Sequence, residues 1–577
     1  MLIISNLTIV LKKDLRTLIK DFSFVLNKKD KVGIIGEEGN GKSSLLKVIY
    51  NPEEAIKYLE ITGNRSIKDE KIGYLPQMID KEKLNLSINE LLNKEIDYSL
   101  LDYKKYYQYV DTFHLDEEKL FSNEIKVRSL SGGERIKLFL LIELMKEPTI
   151  LLLDEPSNDL DLSSLNLLEE LIKNIDIPVM FISHDESLLS KCANKIIHIE
   201  SLKSKSEPRV TVKSLNYDDY FTSREDFIDK NAKEYNKDKE NFEKKMDKFN
   251  RVYQSVNHAL NTVSRSQPGV AKNLKDKMHA VKSMEKRYAK EKETLIQKYE
   301  VEEGINLKFD NLDILDTKGN SSNSKINYLI DPSKVVLDLN IEQLKINNEI
   351  TLIDKPISLY IKGSKRIAII GENGAGKSTL IKLIYEELAG KSSFNVGYMS
   401  QNYEDELLNY MSPLDYLAKE IGASTKEELT KIQTYLGSLK FTYEEMNRSI
   451  SSLSGGQKAK IFFTKLILKK VNVMLLDEPT RNISPLSNKS FIKSIKQYKG
   501  VIIAVSHDRN FIYQVFDEIY ELSSEKGLQQ IQRDEFKKKY LWVSFMNIHS
   551  RCFASIAFNI TKICPIISFV KRSVVSY

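Results

Sequence analysis

Two octapeptides share one pattern: Gly36-Glu37-Glu38-Gly39-Asn40-Gly41-Lys42-Ser43 and Gly371-Glu372-Asn373-Gly374-Ala375-Gly376-Lys377-Ser378. Each follows a β-branched apolar run (Val32 to Ile35; Ile367 to Ile370) and precedes a helical pattern. A strand, a glycine-rich turn and a helix in that order aim backbone N–H groups and the positive helix end at phosphate. Lys42 and Lys377 are placed to reach the outer phosphates of a nucleotide, and Ser43 and Ser378 to offer hydroxyls to Mg²⁺. The rest of the two phosphate cradles is Gly36, Gly39, Asn40, Gly41 and Ser44 in one copy, and Gly371, Gly374, Ala375, Gly376 and Thr379 in the other.

Three further motifs repeat in the same order. Leu130-Ser131-Gly132-Gly133-Glu134 returns as Leu453-Ser454-Gly455-Gly456-Gln457, LLLDEP ending at Pro156 returns as MLLDEP ending at Pro479, and Ser183-His184-Asp185 returns as Ser506-His507-Asp508. Ser131 precedes Glu155 by 24 residues, as Ser454 precedes Glu478, and each Glu precedes its His by 29. Matched spacing across four motifs establishes a duplicated domain, where a single glycine-rich loop would remain a hypothesis. The first copy carries an insertion of about a dozen residues ahead of Gln77.

The chemistry of the repeat is phosphate transfer to water. Asp154 and Asp477 end apolar strands, where a carboxylate can hold a metal through its water shell, and Glu155 and Glu478 are placed to polarise an attacking water. His184 and His507 each follow an apolar strand, and their identical spacing from a Glu favours contact with a γ-phosphate or that water. Ser131 to Gly133 open a helical pattern, which adds a second anion-binding helix start.

Together these residues resemble the ATP-binding cassette (ABC) family. The resemblance implies that Gln77 and Gln401 lie near Mg²⁺ and the attacking water. It also implies that Ser131, Gly132, Gly133 and Ser454, Gly455, Gly456 cap the ATP held by the opposite copy. Two ATP would then be sandwiched between the copies of one monomeric chain, with Ser43, Asp154, Gln77 and Ser378, Asp477, Gln401 as the metal sets. One departure stands out. Ser157-Asn158-Asp159-Leu160-Asp161 follows the first Glu-Pro in the family's usual style, whereas the second is followed by Thr480-Arg481-Asn482-Ile483-Ser484-Pro485. With both glutamates intact, the expectation is two hydrolytic sites of unequal rate.

Between the copies the β-like runs stop. Ile228, Tyr235, Phe242, Phe249, Val256 and Val263 recur every seven residues, with Ala232, Met246, Tyr253 and Leu260 four later, and Leu274, Val281, Tyr288 and Leu295 repeat the pattern beyond a break at Ser264 to Gly269. This predicts an antiparallel helical hairpin with arms of roughly 35 residues, about 50 Å long. From Arg251 to Lys290 it carries nine basic and two acidic residues, a net +7 that exceeds the +6 of the whole chain. The stretch from Lys248 to Lys275 has no acid at all. Arg251, Gln254, Asn257, His258, Asn261, Arg265, Gln267, Lys272, Asn273 and Lys275 suit phosphates, sugars and base edges of folded RNA better than a solvated coiled-coil face.

The predicted architecture is α/β, with two tandem P-loop domains (1–205 and 306–530) joined by the hairpin (206–305) and followed by an extension (531–577). Two cassettes around a charged helical linker resemble the ABC-F ATPases over about residues 1 to 530. That resemblance implies a 70S ribosome partner, with the linker in the tRNA exit site near 23S rRNA and P-site tRNA. The short insertion and the Thr480–Ser487 run are similar to the antibiotic-resistance branch of Vga/Lsa/Vml type, whose members displace lincosamide, streptogramin A or pleuromutilin drugs. The rival readings are a housekeeping translation factor, the ATPase subunit of a membrane transporter, and a DNA-repair ATPase. No membrane domain accompanies the cassettes, and the coil lies between complete cassettes rather than inside one, which disfavours the last two.

Bulk properties agree with several cytoplasmic domains. The chain has 577 residues, 41% hydrophobic and 29% charged, enough to bury separate cores. Cys192, Cys552 and Cys564 have no paired or metal-ligand spacing, as in a reducing compartment. The N-terminal run reads as a strand, not a signal. Phe553 to Val570 is apolar but interrupted by Asn559, Thr561, Lys562 and Pro565, and is expected to be an extension without ordered structure rather than an anchor.

Overall fold

The computed structural model describes residues 2–68, 70–99, 101–158, 160–202, 207–262, 268–294, 299, 301, 305, 307, 330–346, 350–407 and 412–541. Val263, Arg265, Gln267, Leu295 and the tail from 542 onward lie outside the described residues.

Each copy is built on a six-stranded sheet of one topology. In the first copy the order is Ile72–Leu75, Ile150–Asp154, Val179–Ile182, Lys31–Ile35, Lys195–Ser201, Glu207–Lys213, parallel except for the last strand. In the second it is Val396–Met399, Val473–Asp477, Val501–Val505, Arg366–Gly371, Glu518–Ser523, Gly527–Ile531. The central strands read as unbroken apolar runs because both faces are covered, one by helices and the other by a helix with a small antiparallel sheet; Ile150–Asp154 and Val473–Asp477 are buried throughout. Phosphate-binding loops, acids and histidines therefore emerge together at the carboxyl ends of neighbouring parallel strands.

The insertion of the first copy forms a short helix, Pro52–Ala55, and the strand Leu59–Ile67, which pairs antiparallel with Leu2–Leu11. Leu2, Ile4, Leu7 and Ile9 are buried beneath that small sheet. A helical layer carries the Ser-Gly-Gly segments: Gly132–Met145 packs with Tyr103–Phe113, and Gly455–Leu468 with Pro413–Ile421. Capping boxes fix both starts: Ser131 accepts from the Glu134 amide and Ser454 from the Gln457 amide.

The first helix of the hairpin begins ahead of its heptads. It runs over Tyr217–Thr262, and the second helix is described over Pro268–Thr294. At the root Tyr217 and Tyr220 are buried against the first copy and carry the first helix below the heptad seam. Phe249 and Val281 are buried in the seam, with Phe249 edge-on to Tyr288 at 5.9 Å between ring centroids. Tyr253 departs from its predicted seam position and is 36% exposed. No helix among the described residues is long and apolar enough to cross a membrane.

The copies are joined by a buried ionic contact. Arg509, fully buried, donates from Nη1 to Glu169 Oε1 at 2.5 Å and to the Tyr540 carbonyl at 3.2 Å. Lys191 binds the other Glu169 oxygen at 2.9 Å. The last described segment, Arg533–Leu541, thus runs from the second copy back onto the first, where Asn166 also donates to the Lys539 carbonyl at 3.5 Å. Around this contact, buried apolar side chains of both copies form one continuous cluster, including Leu168 and Ile172 of the first and Phe511 and Phe536 of the second.

Arg509→Ala breaks the buried ion pair and leaves Glu169 with Lys191 and the Ser187 hydroxyl, a loss of about 3–5 kcal/mol. Thermal unfolding should show a clear fall in melting temperature, which Arg509→Ala/Glu169→Leu partly restores. An unchanged melting temperature in the single variant would remove the anchor from the account.

Candidate functional site

The two phosphate-binding loops have the same backbone. Gly36 and Gly371 adopt φ of 148° and 153°, and a Cβ at either would lie within 2.2–2.3 Å of the carbonyl oxygen of Ile199 or Leu522. Lys42 Nζ bonds the Gly36 and Glu37 carbonyls at 2.8 and 3.0 Å, and Lys377 Nζ bonds those of Gly371 and Glu372 at 2.9 and 2.7 Å. Both ammonium groups are thereby centred on their loops. Asn40 donates its side-chain amide to the Ile199 carbonyl at 3.2 Å and its backbone N–H to the Glu37 carbonyl at 3.4 Å, which fixes the turn of the loop. The loops open the helices Lys42–Tyr50 and Lys377–Ala389, so Ser43, Ser44, Ser378 and Thr379 lie in their first turns.

Around the second loop the copies enclose a cavity of about 500 Å³. Asn373, Gly374, Gly376, Lys377, Ser378, Thr379, Gln401, Asp477, Glu478 and His507 line it from the second copy, and Gly132, Arg135, Ser157, Asn158 and His184 from the first. The Ser-Gly-Gly helix of one copy thus faces the phosphate loop of the other. Around the first loop the arrangement is tighter. The Gly456 amide donates to Glu38 Oε2 at 2.7 Å, and Ser484 and Ser487 donate to Glu37 Oε1 at 2.6 and 2.5 Å. His184 Nδ1 meets the Ile483 carbonyl at 2.9 Å across the same seam.

The acids differ as well. Glu155 and Glu478 both sit at left-handed φ, 53° and 51°, a conformation non-glycine residues hold only when the surroundings impose it. Glu155 is fully engaged: Gln77 donates to Oε2 at 2.8 Å, Asn158 to Oε2 at 2.5 Å, and His184 Nε2 lies 3.2 Å from Oε1. Burial pushes this carboxyl up, but His184 above all, with Lys42 and the Asn158 bond, outweighs it and holds Glu155 at about 2. Burial pulls His184 down, yet Glu155 carries it above its ordinary value. Glu478 accepts only the His507 amide at 3.3 Å, and its Oε1 is buried with no hydrogen-bond partner. Burial and the adjacent Asp477 push Glu478 up to about 8, while burial and Lys377 hold His507 at about 3, hence neutral.

The metal sets are partly assembled. Ser43 donates to Asp154 Oδ1 at 2.9 Å, and burial pushes Asp154 up to about 6 against the opposing pull of that bond. Burial also raises Asp477, whose Oδ1 is buried without a hydrogen-bond partner near Ser378 and Gln401. An uncompensated buried carboxylate oxygen beside a hydroxyl and an amide fits an oxygen-liganded Mg²⁺. Among the described residues no group of three or more His, Cys, Asp or Glu is placed to hold a metal ion.

The RNA candidates are apart from these sites, on the far part of the hairpin. Arg251, Gln254, Asn257, His258, Asn261, Lys272, Asn273 and Lys275 are all exposed, beside the exposed apolar side chains Val252 and Val270. Sequence reasoning passed over Glu37, Glu38 and Ser487. The available signal was internal: Glu38 stands where the second copy has Asn373, and Ser484 where the first has Asp161.

Fold and site together define a tandem ABC-type ATPase. The family model for "ABC transporter" matches residues 19–158 and 355–481, one stretch in each copy. The chain carries two ATP-binding cassette domains and is an ATP hydrolase that uses Mg²⁺. It is similar to an ABC-F protein, being 26% identical over 552 residues to ABC transporter F family member 2 of Arabidopsis thaliana, covering 88% of this chain and 74% of the relative. It is 29% identical over 500 residues to the ATP-binding protein Uup of Buchnera aphidicola, covering 85% and 75%. Among solved structures, the archaeal ribosome recycling factor aABCE1, in complex with ribosomal stalk protein aP1, has the same tandem fold, with TM-score 0.56 at 16% identity over 92% of this chain and 91% of that one. RNase-L inhibitor gives TM-score 0.52 at 16% identity over 89% and 88%.

A pH dependence follows from the seam. Burial, reinforced by Asp508 of the second copy, pushes Glu186 up to about 8, and burial pushes Asp508 up to about 6. Asn510 donates to Glu186 at 3.3 Å. The contact disfavours the charged forms, so it is strongest below about pH 4 and weakens as pH rises through roughly 4.5 to 8. Energy transfer between labels on the two copies should fall across that range, and Glu186→Gln should flatten the upper half of the curve. The same slope in wild type and Glu186→Gln would assign the dependence to other groups.

Proposed function

We propose that this ATPase acts on the ribosome, with nucleotide-driven movement of the cassettes positioning the hairpin against RNA. The observation that carries this reading is the exposed, acid-free far part of a long hairpin whose root is wedged between the cassettes. Lys489 of the second copy lies 3.1 Å from the Phe221 ring centroid at that root, and Arg224 binds Glu200 of the first copy at 2.8 Å. Basic and amide side chains interleaved with Tyr253, Val252 and Val270 suit unstacked bases and phosphates. The same two-cassette fold serves a ribosome recycling factor.

The hydrolytic roles are proposed as follows. Lys42 and Lys377 hold the outer phosphates, while the opposite Ser-Gly-Gly helices close over them. Mg²⁺ held by Ser43, Asp154 and Gln77, or by Ser378, Asp477 and Gln401, supplies counter-charge when bound. Glu155 and Glu478 accept the proton of the attacking water, and His184 and His507 orient it. Above about pH 8, where Glu478 is ionised, the second site turns over faster, because Glu478 has an oxygen free to receive water whereas both Glu155 oxygens are engaged within the chain. Glu478→Gln should lower steady-state hydrolysis by about 10²-fold or more, and Glu155→Gln by clearly less. Equal losses would mean equivalent sites.

The finer proposal is that the hairpin enters the tRNA exit site of the 70S ribosome, approaches 23S rRNA and P-site tRNA, and displaces lincosamide, streptogramin A or pleuromutilin drugs. The departure at Thr480–Ser487 favours this resistance branch; a housekeeping role on stalled ribosomes fits the same cassettes and hairpin. With ATP, the Glu155→Gln/Glu478→Gln protein should cosediment with ribosomes and lose them when residues 254–270 are replaced. Binding to vesicles or DNA instead would refute the ribosome reading. Raised drug tolerance in a susceptible host is the expected result for the resistance branch, and unchanged tolerance would leave the housekeeping role.

A further inference from the structure

The two ATP sites differ most where the phosphate loop of one copy meets the other copy. At the first site, Glu38 Oε2 accepts the Gly456 amide at 2.7 Å, in the first turn of the helix Gly455–Leu468. A carboxylate there satisfies a backbone N–H and the positive helix end, the same chemistry that would receive a phosphate. Beside it, Glu37 Oε1 accepts from Ser484 and Ser487, hydroxyls on residues only 2% and 1% exposed. The two Glu37 bonds are charge-assisted and end on buried hydroxyls, while Glu38 makes its bond at the exposed rim of the seam.

The second site lacks this arrangement. Asn373, neutral, stands at the position of Glu38, and Asp161 at that of Ser484. Asp161 caps its own helix through the Ser164 amide at 2.8 Å, and an acid there would repel a Glu37-like carboxylate. The cavity of about 500 Å³ lies at this second site, between Asn373 and Gly132 of opposite copies. The departure of Ser484 from Asp is thus matched by the acid it faces.

We propose that Glu37 and Glu38 form an anionic latch that holds the first ATP site closed on the second copy without nucleotide, with Glu38 competing against the terminal phosphate of ATP for the Gly456 amide. The first site then favours a diphosphate over a triphosphate, and it opens for ATP only when Glu38 is displaced. Glu38 is a specificity and positioning residue that bears on which nucleotide the site retains. The proposal concerns the cassettes alone and is independent of any ribosomal role.

The test uses the full chain with Lys377→Ala to silence the second site, titrated with Mg²⁺ and either ADP or the non-hydrolysable analogue AMP-PNP. Glu38→Asn, the residue of the second copy, should raise AMP-PNP affinity about tenfold, the worth of one charge-assisted hydrogen bond, and leave ADP affinity within about twofold. Glu38→Gln, which keeps the shape and removes the charge, should move in the same direction and serves if the asparagine variant fails to fold. Labels on exposed faces flanking the first site should lie further apart in nucleotide-free Glu37→Gln/Glu38→Gln protein than in wild type. An equal gain for ADP and AMP-PNP, no gain for either, or an unchanged label distance would overturn the latch.

Discussion

The ion pair between Arg509 and Glu169 is the constraint on which the arrangement of the copies depends. The guanidinium has no solvent exposure, and Glu169, Ser187 and the Tyr540 carbonyl all bind its Nη1, while Nε and Nη2 are buried without a hydrogen-bond partner, so the ion pair to Glu169 carries most of the compensation. Arg509 follows His507 by two residues, and Ser187 follows His184 by three. The anchor therefore grows from the same two loops that carry the histidines. A shift of either loop is felt at the anchor, and the anchor sets how the two loops face one another.

From that common seam the two sites diverge through their partners rather than their motifs. Gln77, Asn158 and His184 converge on Glu155, while Glu478 keeps a buried oxygen without a hydrogen-bond partner. Asn158 is replaced by Arg481 in the second copy. One substitution thus removes a donor from the second glutamate and places a cation in the lining of the cavity. Identical signatures along the chain give two different electrostatic settings once each is closed by the other copy.

How much of this could be read in advance followed from the range of the interactions. Phosphate loops, strand-ending acids and capped Ser-Gly-Gly helices are local, so residue type and spacing reveal them. The heptads gave the hairpin for the same reason, since Phe249 and Val281 repeat at the period that buries them. The length of its first helix was not legible, because it continues to Tyr217 through contacts with a cassette rather than with the other arm. The Arg509 anchor joins residues 340 apart, and no pattern near either one announces it. The carboxyl shifts at Glu155 and Glu478 were equally hidden, because they depend on charges and burial brought together only by folding.

The root of the hairpin also sets its mechanical gain. Tyr220 is hydrogen-bonded to His198 at 2.7 Å, Arg224 and Arg209 converge on Glu200, and Lys489 of the second copy sits over Phe221. The fixed end is thus short and rests on one cassette, while Lys489 brings the other cassette against it. Over 46 residues at ~1.5 Å each, a root rotation of ~5° carries the far end of the helix by ~6 Å. A small closing movement at the nucleotide sites, if passed to the root, would in this way become a displacement the size of a nucleobase, with the stiffness of the hairpin seam setting how faithfully it arrives.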